Sequence, residues 1–435
     1  MLQKRIQLGL IHVAVAMTLV PINGTLNRVM IKELAISATL VAVLASLPYL
    51  FSPIQVAIGS FSDRYPLFGW RRSPYIFFGL LLCVAGVIVS PRIAFLIAED
   101  FWSGVGLGVL AFGAWGMGYN FATVSYFSLA TELSGEQGRT RTIAVMFFMM
   151  IISIIATSIV MSRLLETYST QTLQNAFLYV GLVALAFGLF GLFKLEPRST
   201  GAPPAADEHH SWGSLIASVT GNPQAALFLV YLIVLLTAVL GQDILLEPFG
   251  AEAFGMPVDR TTIITAVWGV FFLLSLAAGG PLEKRVSKFQ QARIGAVLAI
   301  IAFGLIAFSG FITSLPVFWA GIVTLGFATG LSTVSNLSLM LDMTVEGSVG
   351  LFMGVWGMAT AVSRLIGNLM GGVVRDAVSG ISRLPVSGYL VVFIIEIVLL
   401  LISLYLLRKV DVGMFHSAAA KPRSFIQRAA LAEEA

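Results

Sequence analysis

The chain has 435 residues, of which 57% are hydrophobic and only 11% charged, with a mean hydropathy of +0.92. Soluble domains carry about 25% charged residues, so these figures exclude a soluble globular protein and define a polytopic membrane protein. The net charge of +4, spread over short loops, excludes a nucleic-acid patch, and the single cysteine, Cys83, excludes disulfides within the chain.

A spanning helix needs about 20 largely apolar residues. Twelve such segments are predicted, at 7–30, 35–60, 74–97, 101–130, 140–164, 174–195, 223–246, 261–282, 291–312, 315–341, 347–374 and 386–408. The first apolar run is too long for a signal-peptide core and lacks a small-residue cleavage pattern, so no cleavable signal is expected. It holds His12, the only histidine in a membrane segment. An imidazole there is either an axial ligand for a metal centre or a core histidine held by a hydrogen bond. Asn23 and Asn27, late in the same segment, and Asn120 in the fourth either line a central cavity or bond between helices.

The loop GSFSDRYPLFGWRRSPY (59–75) carries a glycine, an Asp-Arg pair and a basic cluster. It reads as a structural gating loop of Gly59, Asp63, Arg64, Arg71 and Arg72. Asp63 caps or pairs across the interface between halves, and Arg71 and Arg72 hold anionic lipid. The plainer reading is a basic loop that sets topology. Two stretches, 113–127 and 354–368, combine glycine with large rings; they suit a flat apolar ligand or ordinary helix packing.

The chain repeats itself. Ser125, Ser128, Leu129, Glu132 and Glu136 recur 210 residues on as Ser335, Ser338, Leu339, Asp342 and Glu346. Gly59, Asp63 and Arg64 recur 220 residues on as Gly279, Glu283 and Lys284. Two parallel six-helix repeats are the architecture of the major facilitator fold. The predicted division is an N-terminal half at 1–195, a linker at 196–222, a C-terminal half at 223–410 and a flexible tail at 411–435. The linker is rich in proline, alanine and polar residues, and Trp212 marks a short interfacial helix within it. With both termini and the linker in the cytoplasm, 18 basic residues fall on the cytoplasmic side and 7 on the other, with Arg364 inside a helix.

The stretch 241–269 is dense in acids and glycines. Gln242, Asp243 and Glu247 sit at the end of the seventh segment, and a carboxylate there is costly unless it faces protein or water. Four residues apart on a helix, Asp243 and Glu247 share a face and repel unless a cation or donor lies between them. Arg364, near the middle of the eleventh segment, is expected to pair or to face the interface between halves, with Asn368 one turn away. Glu396 is the remaining buried acid. Deep acids lining segments one, four, seven and ten are lacking, which argues against ordinary proton symport. His209 and His210 are too isolated for a metal cluster. No phosphate-binding glycine loop, nucleophile elbow or metal-ligand cluster is present, so no catalytic residue or metal site is expected.

Three stretches carry a family resemblance. Residues 235–269 resemble the helix 7–8 signature of the PucC-type, or bacteriochlorophyll delivery, branch of the major facilitator superfamily. Residues 47–79 resemble its helix 2–3 region, and residues 354–376 its helix 11. The resemblance implies a twelve-helix, all-α major facilitator fold. It implies a non-enzymatic assembly factor for light-harvesting complexes in a photosynthetic membrane, thylakoid or bacterial inner or intracytoplasmic. The cargo implied is chlorophyll or bacteriochlorophyll, with carotenoid. The partners implied are light-harvesting or other chlorophyll-binding polypeptides, pigment-synthesis enzymes and membrane lipids, with no nucleic acid. Gln242, Asp243, Glu247, Arg364, Asn368, Asn120 and His12 are the candidate pigment or ligand residues. Two other readings stand beside this one. The first is a secondary transporter of a small amphipathic or anionic solute with Arg364 as anion partner. The second is a pure scaffold whose cavity is vestigial.

Overall fold

Apolar segments of this length form helices because a bilayer core offers no water to bond exposed backbone groups. The computed structural model describes residues 2–55, 58, 61, 62, 65–198, 220–344 and 349–419, and among them there are helices and no strand. In chain order these are α1 (Leu2–Glu33), α2 (Ala38–Ala45), α3 (Leu47–Leu50), α4 (Ser73–Glu99), α5 (Phe101–Gly135), α6 (Arg141–Leu164), α7 (Thr170–Leu192) and α8 (Pro223–Leu240). There follow α9 (Leu246–Phe254), α10 (Val258–Leu282), α11 (Lys288–Ile312), α12 (Leu315–Asp342), α13 (Val349–Ser382), α14 (Pro385–Leu407) and α15 (Val412–Ala419). Ten helices among the described residues are long and apolar enough to cross a membrane. The chain is an integral membrane protein.

The other two predicted segments depart from uniform apolar helices for identifiable reasons. Segment 35–60 breaks at Ser46, between α2 and α3, and turns again at residues 51–53. Pro48 and Pro53 cannot donate to a helical ladder. The Pro48 carbonyl is taken instead by the side chain of Asn120, at 2.9 Å. The eleventh segment runs on to Ser382 as α13, and its Arg364, Asn368, Arg375 and Asp376 lower its apolarity. Between α5 and α6 the chain turns at Gly135, whose φ of +62° favours glycine.

The repeat in the sequence makes a repeated ion pair. Arg72 meets Glu132 at 3.1 Å in the first half, and Lys288 meets Asp342 at 2.8 Å in the second. Glu132 and Asp342 are the repeat-related residues. Gly59, Asp63, Arg64 and Glu346 lie outside the described residues, as does the side chain of Glu136.

Arg72 does not serve lipid as expected. It is buried, and it also donates to Ser62 at 2.6 Å, because a guanidinium taken out of water needs partners inside the protein. Glu196, assigned above to the linker, accepts from the backbone N–H groups of Arg71 (2.9 Å), Arg72 (3.1 Å) and Ser73 (2.7 Å). A carboxylate there satisfies the orphan donors at the start of α4. Residues 199–219, including His209, His210 and Trp212, lie outside the described residues. The tail predicted as flexible begins with a docked helix, α15. Phe415 anchors it in the core, and its carbonyl accepts from Asn222 at 3.0 Å. Residues 420–435 lie outside the described residues.

The halves are bonded at one end, where the 1–2, 5–6, 7–8 and 11–12 connections lie. Ser158 and Ser162 of α6 donate to the carbonyls of Thr262 (2.6 Å) and Asp259 (2.8 Å). Asp376 accepts from the backbone N–H groups of Ala38 (3.1 Å) and Thr39 (2.7 Å) at the start of α2. Among the described residues no hydrogen bond joins the two six-helix bodies at the opposite end.

Candidate functional site: a cavity between the halves

Away from this bonded end the halves part around a cavity of about 480 Å³. One wall is the broken second segment, with Pro48, Tyr49, Ser52 and Gln55; another is α5, with Tyr119 and Thr123. The facing wall is α13, with Gly354, Gly357 and Arg364. A Cβ built on Gly354 or Gly357 would meet nothing within 4 Å, so these glycines present a flat wall to open space.

Arg364 joins the two sides of this space. Its Nη1 donates to Asp243 Oδ2 at 2.8 Å, and its guanidinium lies 5.5 Å from the ring centroid of Tyr49 in the other half. The expectation that it faces the interface between halves agrees with this placement. Local chain geometry brings Asp243 to it. α8 ends at Gly241, which presses on the backbone of Gly367 in α13 with no room for a side chain. The next residues, Gly241–Ile244, wind as a 3-10 turn, and Asp243 points across to Arg364. The second oxygen of Asp243 accepts from Gln242 Nε2 at 2.9 Å.

Asp243 and Glu247 do not form the shared polar site predicted for them. The 3-10 turn resets the helical phase before α9 begins, so four residues no longer bring the two acids to one face. Glu247 turns toward α1 and α10 instead. It is 2% exposed, accepts from Thr265 at 3.3 Å, and leaves Oε2 without a partner. Burial raises its carboxyl to about 8, opposed in part by the Thr265 bond and the charge of Arg28.

The remaining candidates divide. Asn120 stands behind the cavity wall, fully buried, bonded to the Pro48 and Gly116 carbonyls and to Gln55. It holds the broken segment in shape. Asn368 donates to Ser46 at 3.2 Å and is one of the bonds between halves. Asn27 donates to the Asn23 carbonyl at 2.8 Å, within its own helix. None of these asparagines lines the cavity. His12 does not line the cavity. The rings of Phe147, Tyr126 and Phe127 stand 5.1, 5.2 and 5.6 Å from its own. Its Nδ1 has no partner, but rings this close occupy the space a macrocycle would need, so His12 does not fit the role of axial ligand to a chlorin. Glu396 is fully buried, with neither oxygen partnered among the described residues.

Sequence reasoning missed Tyr49, Ser52 and Gln55. Their spacing of three, beside two prolines in an apolar segment, is the helical-face signal that marks them.

A helical membrane protein of two bonded six-helix halves around a central cavity has the architecture of the major facilitator fold. Solved structures agree: a crystal structure of the nucleoside transporter NupG superimposes with a TM-score of 0.73 over 95% of this chain and 100% of that one, at 14% identity. The profile of the family described as PUCC protein matches residues 25–415, and the chain belongs to that family. Protein PucC of Rhodovulum sulfidophilum is 31% identical, covering 87% of this chain and 86% of its own. A Rhodobacter capsulatus protein encoded in the puhA-bchM intergenic region is 30% identical, covering 93% and 88%.

Proposed function

We propose that this protein is a non-enzymatic assembly factor for chlorophyll- or bacteriochlorophyll-binding light-harvesting complexes, and that it holds a pigment or pigment precursor in its central cavity. The photosynthetic membrane is its place, with both termini in the cytoplasm. The observation that carries the reading is the cavity itself. A vestigial cavity in a pure scaffold would be free to fill with side chains, whereas this one keeps about 480 Å³, within the range of about 300–1,000 Å³ for small-molecule sites. Its glycine wall and its two tyrosines suit a flat ring, and Arg364 suits a carboxylate or carbonyl at that ring's edge.

Arg364 also favours a second reading, export or uptake of a small amphipathic anion. One experiment separates the readings. The protein is purified from its native membrane in mild detergent, and its absorption spectrum and co-purifying polypeptides are recorded for wild type and Arg364→Leu. Pigment and antenna polypeptides with the wild type, and loss of pigment in the variant, support the assembly reading. A colourless protein without antenna polypeptides refutes it.

A further inference from the structure

Glu247 lies where the halves close, not where the cavity is. Gly24 of α1 comes so near its carboxyl that any side chain there would collide with Oε1. Thr265 of α10 donates to the same oxygen. Beside it two bonds join the halves: Thr25 with Thr262 at 3.1 Å, and Arg28 Nη2 to the Met256 carbonyl at 3.1 Å. The carboxyl is thus inserted in the seam between α1 and α9, nearly all of it out of water.

The charged and titratable groups on the elements packed against α9 do not neutralise it. On the last turns of α1, the part that packs on α9, these are Arg28, Lys32 and Glu33. Arg28 pairs with Glu33, and Lys32 is exposed. On the turn before α9, Asp243 is held by Arg364. On α9 itself Glu252 is held by Arg375 at 2.7 Å, and on α10 Asp259 meets Arg260 at 3.6 Å. On α14, Tyr389 lies under Arg375, and Glu396 has no partner among the described residues. Among the described residues no cation lies within ion-pair distance of Glu247.

We propose that Glu247 is a proton-binding site whose occupancy keeps the halves closed at this end, and that loss of the proton opens the seam between α1 and α9. A neutral acid tolerates this setting; an ionised one needs water or a cation. Water reaches it only if Gly24 draws back, which parts α1 from α9. Arg28 reaches it only by leaving Glu33 or the Met256 carbonyl, and the latter is a bond between the halves. Either response loosens the seam. The closed state binds the proton more tightly than an open state with a hydrated carboxyl, so protons favour closure and rising pH favours opening. The window runs from the ordinary glutamate value of 4.5 up to about 8. The inference is independent of what the cavity binds.

The test is a distance measurement on the full chain in lipid nanodiscs. Spin labels go on Thr167→Cys, exposed in the connection between α6 and α7, and on Ile381→Cys, exposed in the last turn of α13 on the other half, with the buried Cys83 left in place. Pulsed EPR distances are taken at about pH 5 and about pH 9, spanning the range in which a buried glutamate titrates. The wild type is expected to pass from a short to a long distance. Glu247→Gln, which keeps the shape and removes the titration, is expected to hold the short distance at both. Widening of Glu247→Gln with pH like the wild type, or an unchanged wild-type distance, overturns the proposal. Should Glu247→Gln not accumulate, Gly24→Ala serves: its methyl group meets the carboxyl, and the long distance is expected already at acid pH. A short distance at both pH values in that variant overturns the proposal equally.

Discussion

Removing Arg364 strands a carboxylate, and the size of that effect follows from its surroundings. In Arg364→Leu, Asp243 keeps one donor, Gln242, and loses its 2.8 Å ion pair. Breaking a fully buried pair by deleting one partner costs about 3–5 kcal/mol. Here the two side chains are 29% and 30% exposed, on the cavity side, so cavity water replaces part of the lost interaction. A loss of about 1–3 kcal/mol is therefore expected. Asp243→Asn leaves Arg364 over Tyr49 and in contact with cavity water, and costs less. The double variant removes the stranded charge. It is expected to unfold at a higher temperature than Arg364→Leu alone, with a coupling of about 1–2 kcal/mol between the two changes. The assay is thermal unfolding of the four proteins in one detergent, followed by tryptophan fluorescence. Effects that add to within about 0.5 kcal/mol, or a double variant less stable than Arg364→Leu, would refute the pairing.

Further outcomes follow from other sites. Glu196→Gln weakens the acceptor for three backbone N–H groups at the start of α4 and should cost about 1 kcal/mol by the same unfolding assay, with full-length protein still in the membrane. Reporter fusions at Ala205 and at the C-terminus should both signal cytoplasm; a signal from the other side at either position contradicts the distribution of basic residues.

The architecture was legible because its signals are long. Twelve apolar runs, one basic-rich face and repeat-related residues 210 apart each average over many positions, and one displaced residue cannot upset them. The repeat also carries chemistry: Glu132 and Asp342 each hold a cation from the start of the preceding helix, Arg72 and Lys288. Arg364 was legible for a different reason. A guanidinium in the middle of a membrane helix has few affordable surroundings, so its facing direction followed from cost alone.

The site's details depend instead on single-residue phase. The expected Asp243–Glu247 pair assumed one continuous helix, whereas Asp243 sits in a four-residue 3-10 turn and Glu247 in the helix that follows it. At the start of that turn Gly241 and Gly367 let two helices touch backbone to backbone, a contact between residues 126 positions apart in sequence that no local pattern announces. The same crossing decides what each acid does. Asp243, directed into the cavity wall, has its charge answered by Arg364. Glu247, released to the far side of the turn, meets Gly24 and has no cation within ion-pair distance among the described residues. Two acids that look like one site in sequence therefore take opposite chemical roles, one a fixed ion in the cavity wall and the other a neutral acid in the seam. The lack of deep acids lining segments one, four, seven and ten argued against proton coupling only on the premise that a proton site must line the cavity. A carboxyl wedged between α1 and α9 needs no place in the cavity, because the closure of the halves is itself what it senses.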